Sequence, residues 1–169
     1  MERRVILQPV GSQKAQMHFA KTIQGAVDIS RIKMFTSLER GEQLSRIYPD
    51  GEVHLWGVKS GENKRNERMW ENISAGDAVL FFKEGGLFAY ATVTIKMKNR
   101  DLAEALWKTD EDNEAWENIY YVNNIKYIDR PISYEVLNKA ANYDSRYIVR
   151  GFSVLGESKS KDILDYLRI

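Results

Sequence analysis

Two apolar runs, Ala78 to Lys83 and Leu87 to Met97, meet across Glu84-Gly85-Gly86, and so short a junction leaves them one arrangement, an antiparallel hairpin. A hairpin this apolar on both strands needs further strands and helices to cover it. Candidate strands are Arg3 to Gln8, stopped by Pro9, then Ile32 to Ser37, Val53 to Val58, Ile119 to Ile128 and Tyr147 to Val149. Ser12 caps a first helix with Ala15, Phe19 and Ile23 on one face and Gly25 as its stop. Glu39 to Tyr48 reads as a helix closed by Pro49-Asp50-Gly51, and Asp101 caps another through Trp107. Pro131 and Ser133 open a helix to Ala140, and a last one spans 160 to 167. Strands and helices mix without the alternation of a doubly wound sheet, so the expected class is α+β: a curved sheet or small β-barrel flanked by helices. With no repeat and no linker, residues 1–169 read as one domain, residues 1–30 being an N-terminal strand–helix extension.

Charge and missing side chains narrow the function. Lys plus Arg total 25 against 24 Asp plus Glu, a formal charge of +1, so coating nucleic acid by charge alone is excluded and any such contact needs a local patch and a pocket. There is no cysteine, which removes disulfides, thiolate zinc sites and a cysteine nucleophile. The two histidines, His18 and His54, fit no metal-binding spacing and read as structural or surface residues. Asp110-Glu111-Asp112 reads as a solvated loop. No nucleophile elbow or phosphate loop occurs, so the expectation is a binding domain with no catalytic residue, metal or cofactor. No run approaches the roughly 18 apolar residues of a membrane span, and the chain reads as soluble and cytoplasmic.

Four tryptophans remain to be explained. Trp70, three positions before Ile73, is assigned to the core. Trp107 and Trp116 flank a charged loop that offers them nothing to cover, and Trp56 precedes Gly57, which leaves backbone accessible beside the ring. The order of strand, helix, Trp-bearing strand, Gly-Asp turn, hairpin and Trp-rich loop resembles the EVE and YTH domains of the PUA-like superfamily. The matching pieces are Ile32 to Ser37, Leu55-Trp56-Gly57-Val58, Ala75 to Phe82, Phe88-Ala89-Tyr90-Ala91 and Trp116 to Tyr120, spanning residues 32–137. With the N-terminal strand and helix included, the chain is similar to the N-terminal specificity domain of archaeal McrB proteins, from modification-dependent (type IV) restriction systems.

That resemblance implies a PUA-like fold and a reader of N6-methyladenine, flipped into an aromatic cage of Trp56, Trp107 and Trp116. It implies that the Gly57 carbonyl accepts from the methylated amine, and that Glu42 or Gln43 contacts the base edge. It implies methylated DNA as partner, with a GTPase motor and a nuclease subunit elsewhere; the motor's phosphate loop is absent, so this chain would be the reader only, excised or free-standing. Sequence proximity to Trp56 nominates Lys59, Lys64, Arg65 and Arg68 for phosphates, with Lys83 more distant. Two alternatives stay open: a YTH-like RNA-binding module for N6-methyladenosine, and a protein-interaction domain whose pocket is filled.

Overall fold

A computed structural model describes residues 2–144 and 148–169. Strand β1 (Val5–Pro9) leads to helix α1 (Gln13–Phe19), a π-helical turn (Ala20–Gln24), strand β2 (Val27–Asp28) and helices α2 (Ile29–Lys33) and α3 (Leu38–Ile47). Strand β3 (Glu52–Val58), a 3-10 turn (Glu62–Lys64) and helix α4 (Arg65–Glu71) follow. The hairpin of β4 (Ala78–Lys83) and β5 (Gly86–Lys98) continues through helix α5 (Arg100–Trp107) to strand β6 (Asn118–Ile132). Helix α6 (Tyr134–Ala140), strand β7 (Ser153–Val154) and helix α7 (Glu157–Leu167) complete the chain.

The strands form one sheet in the order β2-β3-β6-β5-β4-β1-β7. β1 lies parallel to β4, with Val5 opposite Ala78 and Pro9 opposite Phe82, so the two strands end at the same rim. Register shifts between Phe81 and Phe82, and at three places between β5 and β6, bend and twist the long central strands. The result is the curved sheet flanked by helices that the mixed pattern predicts. Alternation along β3 sends Trp56 and Val58 into a core with Phe19, Trp70, Phe81 and Tyr120. Val53 and Leu55 point to the other face, into a core with Leu44, Tyr48 and Trp107. Trp70 is core as expected, 8% exposed with its indole Nε1 donating to the Ile119 carbonyl at 3.1 Å.

Local signals explain most element ends. Ser12, Ser37 and Ser133 each cap a helix by accepting a backbone N–H three residues on. Three expectations change, and one unassigned stretch gains a helix. The strand read at Ile32 to Ser37 is instead helix α2 and a turn, because Asp28 accepts from the Ser30 N–H as an N-cap while Ile32 fills the core one turn later. Helix α5 is capped by Asn99, which accepts from the Leu102 N–H, and not by Asp101. Residues 65–71, to which the sequence pattern assigns no element, are helical. Of the strand placed at 147–149, Tyr147 lies outside the described residues and Ile148 and Val149 are irregular; the strand that pairs with β1 is Ser153–Val154.

One feature of this fold positions the site. β2 pairs with β3 only at Glu52 and Val53, leaving the rest of that edge to α1 and the π-turn. Thr22 Oγ1 donates to the Leu55 carbonyl at 2.6 Å, and the Gly25 N–H reaches back to the Ala20 carbonyl at 2.9 Å to close the wide turn. The open strand edge is thereby covered by a helix from the N-terminal segment.

Candidate functional site

Three segments distant in sequence meet at the covered edge of β3. Ser12 starts α1 so that Lys14, Ala15 and His18, spaced three and four apart, face the end of β3. The His18 imidazole centroid lies 4.5 Å from Trp116, perpendicular to it, 5.8 Å from Trp107 and 6.5 Å from Trp56. Trp56 leans on Phe19 and Phe81 at 6.3 and 6.0 Å, so its ring is 4% exposed. An open cavity of roughly 380 Å³ is lined by His18, Trp56, Gly57 and Trp116, together with Gln8, Asn66, Arg150 and Phe152. That volume falls among small-ligand sites, which run from ~300 to ~1,000 Å³.

The tryptophans nominated from sequence do converge, but they hold unequal positions. Trp56 and Trp116 line the cavity; Trp107 does not, being 6% exposed and packed behind His18 and Gly57. His18, read from sequence as structural or surface, lines the cavity instead. Gly57 is obligatory for this packing. A Cβ there would meet the Trp116 carbonyl oxygen at 2.2 Å, Trp107 Cζ3 at 2.5 Å and Trp116 Cβ at 2.9 Å. In an antiparallel pair, residues two apart present their carbonyls to the same side. The Leu55 carbonyl bonds Thr22 on the side away from β6, so that of Gly57 also faces outward, toward the cavity it lines. The Val58 carbonyl points the other way and accepts from Asn118 Nδ2 at 3.0 Å.

Glu42 and Gln43 stand elsewhere. Helix α3 packs through Leu44 on the Leu55 face of the sheet, Glu42 is exposed, and Gln43 accepts from Arg40 at 3.1 Å; neither lines the cavity. The amide side chains lining the cavity are instead Gln8 and Asn66. Gln8 is held in place by the buried Tyr120 hydroxyl, which donates to Gln8 Oε1 at 2.9 Å. A polar residue closing the apolar run Val5-Ile6-Leu7 was the available signal for Gln8, and a histidine one turn from Ala15 on the buried helical face was the signal for His18. Nothing in the local pattern marks Asn66, Arg150 or Phe152.

Electrostatics divide the rim. Burial, and then Lys14 and Lys21, push the His18 pKa down to about 4, with Asp110 opposing, so the ring is neutral at pH 7. Lys14 and Lys59 both hydrogen-bond Asp110, Lys59 at 2.8 Å, and Lys59 also reaches Asp112 at 2.9 Å. The bonds from Lys14 and then Lys59 hold the Asp110 carboxyl well below the usual carboxylate range. Burial of the Lys59 ammonium works against its charge, but Asp110 and Asp112 outweigh this and raise its pKa. Both ammonium groups sit 5.9 Å from the Trp116 ring centroid. Lys59, nominated for phosphates, is thus committed to the loop of residues 110–114, which is folded onto lysines and not merely solvated. Lys64, Arg65 and Arg68 are exposed beside Asn66, with Arg68 donating to the Asn63 carbonyl at 2.6 Å. Among the described residues, no helix is long and apolar enough to cross a membrane.

No protein-family profile and no curated protein sequence matches this chain. Among solved structures it is similar to the N-terminal domain of Thermococcus gammatolerans McrB bound to m5C DNA, with a TM-score of 0.70 and 13% identity over 98% of each chain. At that identity the likeness establishes the fold, and it includes the N-terminal strand and helix. The mixed α+β class and the curved sheet flanked by helices expected from sequence are those observed, and the fold is shared with that McrB domain.

Proposed function

We propose that this domain binds methylated DNA by receiving a flipped, methylated base in the cavity of His18, Trp56 and Trp116. The observation that carries this reading is the gathering of aromatic rings from three distant segments around an open cavity edged by the Gly57 carbonyl. It is supported by a fold shared with a domain solved on methylated DNA. Stacking of the base against these rings contributes ~1–3 kcal/mol, to set against the few kcal/mol that unstacking costs. N6-methyladenine suits the cavity because its amine keeps one hydrogen for the Gly57 carbonyl and turns its methyl to the rings. Burying that methyl is worth about 0.8 kcal/mol. Plain adenine would also bury an unpaired N–H, a penalty of ~1–3 kcal/mol. Together these give a preference of roughly twentyfold to sixhundredfold. 5-methylcytosine is the second ligand to weigh, because the structural neighbour was solved with m5C DNA. Lys64, Arg65 and Arg68 supply exposed charge next to Asn66 for phosphates. In this reading the domain breaks no bond itself and serves as the specificity element for a GTP-driven motor and nuclease carried elsewhere.

Titration of intrinsic tryptophan fluorescence tests this. Matched DNA duplexes carrying adenine, N6-methyladenine, cytosine or 5-methylcytosine, and an RNA strand with N6-methyladenosine, are compared. Selective quenching by a methylated DNA duplex, abolished in Trp116→Ala, is the expected result. Tighter binding of the RNA strand would move the assignment to an RNA module, and equal affinity for all strands would end the base-reading proposal.

A further inference from the structure

The base cavity does not end at its own walls. Pro9, Ser12, Ala15 and Arg150 line both that cavity and a second opening of roughly 560 Å³, so the two form a continuous groove. The groove runs over the common rim of β1 and β4, where the Val10 N–H donates to the Phe82 carbonyl at 2.6 Å, and reaches Lys83 and Tyr134. Lys83 and Arg150 are both exposed, and among the described residues neither forms an ion pair. Glu84 is the acidic residue lining this part. A Cβ at Gly11 or Gly151 would have no neighbour within 4 Å, so backbone there stands open to close approach. The opposite rim differs, since Lys14 and Lys59 are already taken by Asp110 and Asp112.

We infer that this groove holds the sugar-phosphate backbone flanking the flipped nucleotide, with Arg150 and Lys83 contacting phosphates on one side of it. The inference rests on the base-reading proposal and adds a direction to it. A flipped nucleotide stays joined to a neighbour on each side, so the backbone must leave the cavity by two routes. Lys64 and Arg65 flank one route; the continuous opening past Arg150 is the other. Such contacts fix the register of the strand without reading sequence.

The test measures affinity for a DNA duplex with one central N6-methyladenine, and for one with 5-methylcytosine, across a range of salt. The double variant Lys83→Ala, Arg150→Ala should lose two phosphate contacts, lowering the salt slope by about 1.8 and weakening binding roughly thirtyfold near 0.15 M salt. Its preference for methylated over plain duplex should stay that of the unaltered domain, and so should its affinity for the free methylated nucleoside. A control removing equal charge elsewhere, Lys139→Ala with Lys161→Ala on α6 and α7, should bind as the unaltered domain does. If the unaltered domain discriminates methylated duplexes but the groove variant keeps its affinity and slope, the groove inference is overturned and the base cavity stands. If the unaltered domain shows no methyl preference, the base-reading proposal itself fails.

Discussion

Replacing Gly57 with alanine puts a methyl carbon 2.2 Å from the Trp116 carbonyl oxygen and 2.5 Å from Trp107 Cζ3. Ordinary contact begins near ~3.5 Å, so the Trp116 backbone must retreat by on the order of 1 Å. A backbone oxygen cannot swing aside as a flexible side chain would, and Trp107 is packed in the core. Overpacking of this kind costs ~1–3 kcal/mol. For a chain of this size, that lowers the melting temperature by roughly 2–12 °C. The retreat also pulls Trp116 from its perpendicular contact with His18 and shifts the carbonyl edge of the cavity. Loss of that stacking wall should weaken methylated-duplex binding about fivefold to 150-fold. Thermal unfolding followed by circular dichroism, with Gly11→Ala as the stability control, gives the first readout, because a Cβ at Gly11 meets nothing within 4 Å. Tryptophan quenching by the methylated duplex gives the second. A Gly57→Ala protein as stable as its parent and binding equally well would refute the close packing on which the site depends.

Three other perturbations have defined outcomes. Because the folded His18 pKa lies near 4, below its ordinary 6.5, the folded state takes up fewer protons in that window; this stabilisation is complete above pH 6.5 and lost as pH falls toward 4. Urea unfolding at steps across that range should show a steeper decline in the parent than in His18→Phe, the difference being the histidine's share; parallel curves would refute the buried neutral ring. Asp110→Asn removes the carboxylate shared by Lys14 and Lys59, so methylated-duplex affinity should rise a few-fold with a steeper salt slope, and an unchanged slope would show that these lysines face no phosphate. Trp70→Phe strands the buried Ile119 carbonyl that Nε1 now satisfies, costing ~1–3 kcal/mol in chemical unfolding without changing methyl preference.

What could be read from the sequence was what neighbouring residues decide among themselves. The Ala78 to Met97 hairpin and the Ser12, Ser37 and Ser133 caps each depend on a few adjacent positions. Helix α2 escaped because its cap, Asp28, belongs to a two-residue strand with no pattern of its own. At the site, the oddly placed Trp56 and Trp116 were visible, as was the glycine between β-strand residues. His18 and Gln8 carried a local signal but no legible role, since their roles come from contacts across about a hundred residues of chain, with Trp116 and Tyr120. The ion pairs of Lys59 were hidden for the same reason: its acidic partners come from residues 110–114.

The wide turn at Ala20–Gln24 holds one residue more than an α-helix would need there. Within it, Thr22 and Ile23 are anchored to β3 and the core, and just before it Phe19 seats the end of α1 against Trp56 and Phe81. Deleting a single residue from the turn would swing α1 by about 100°, carrying the imidazole away from the indoles and Phe19 out of its place against the sheet. The one extra residue of the turn thus sets at once which side chain α1 turns toward the cavity and which it spends on the core.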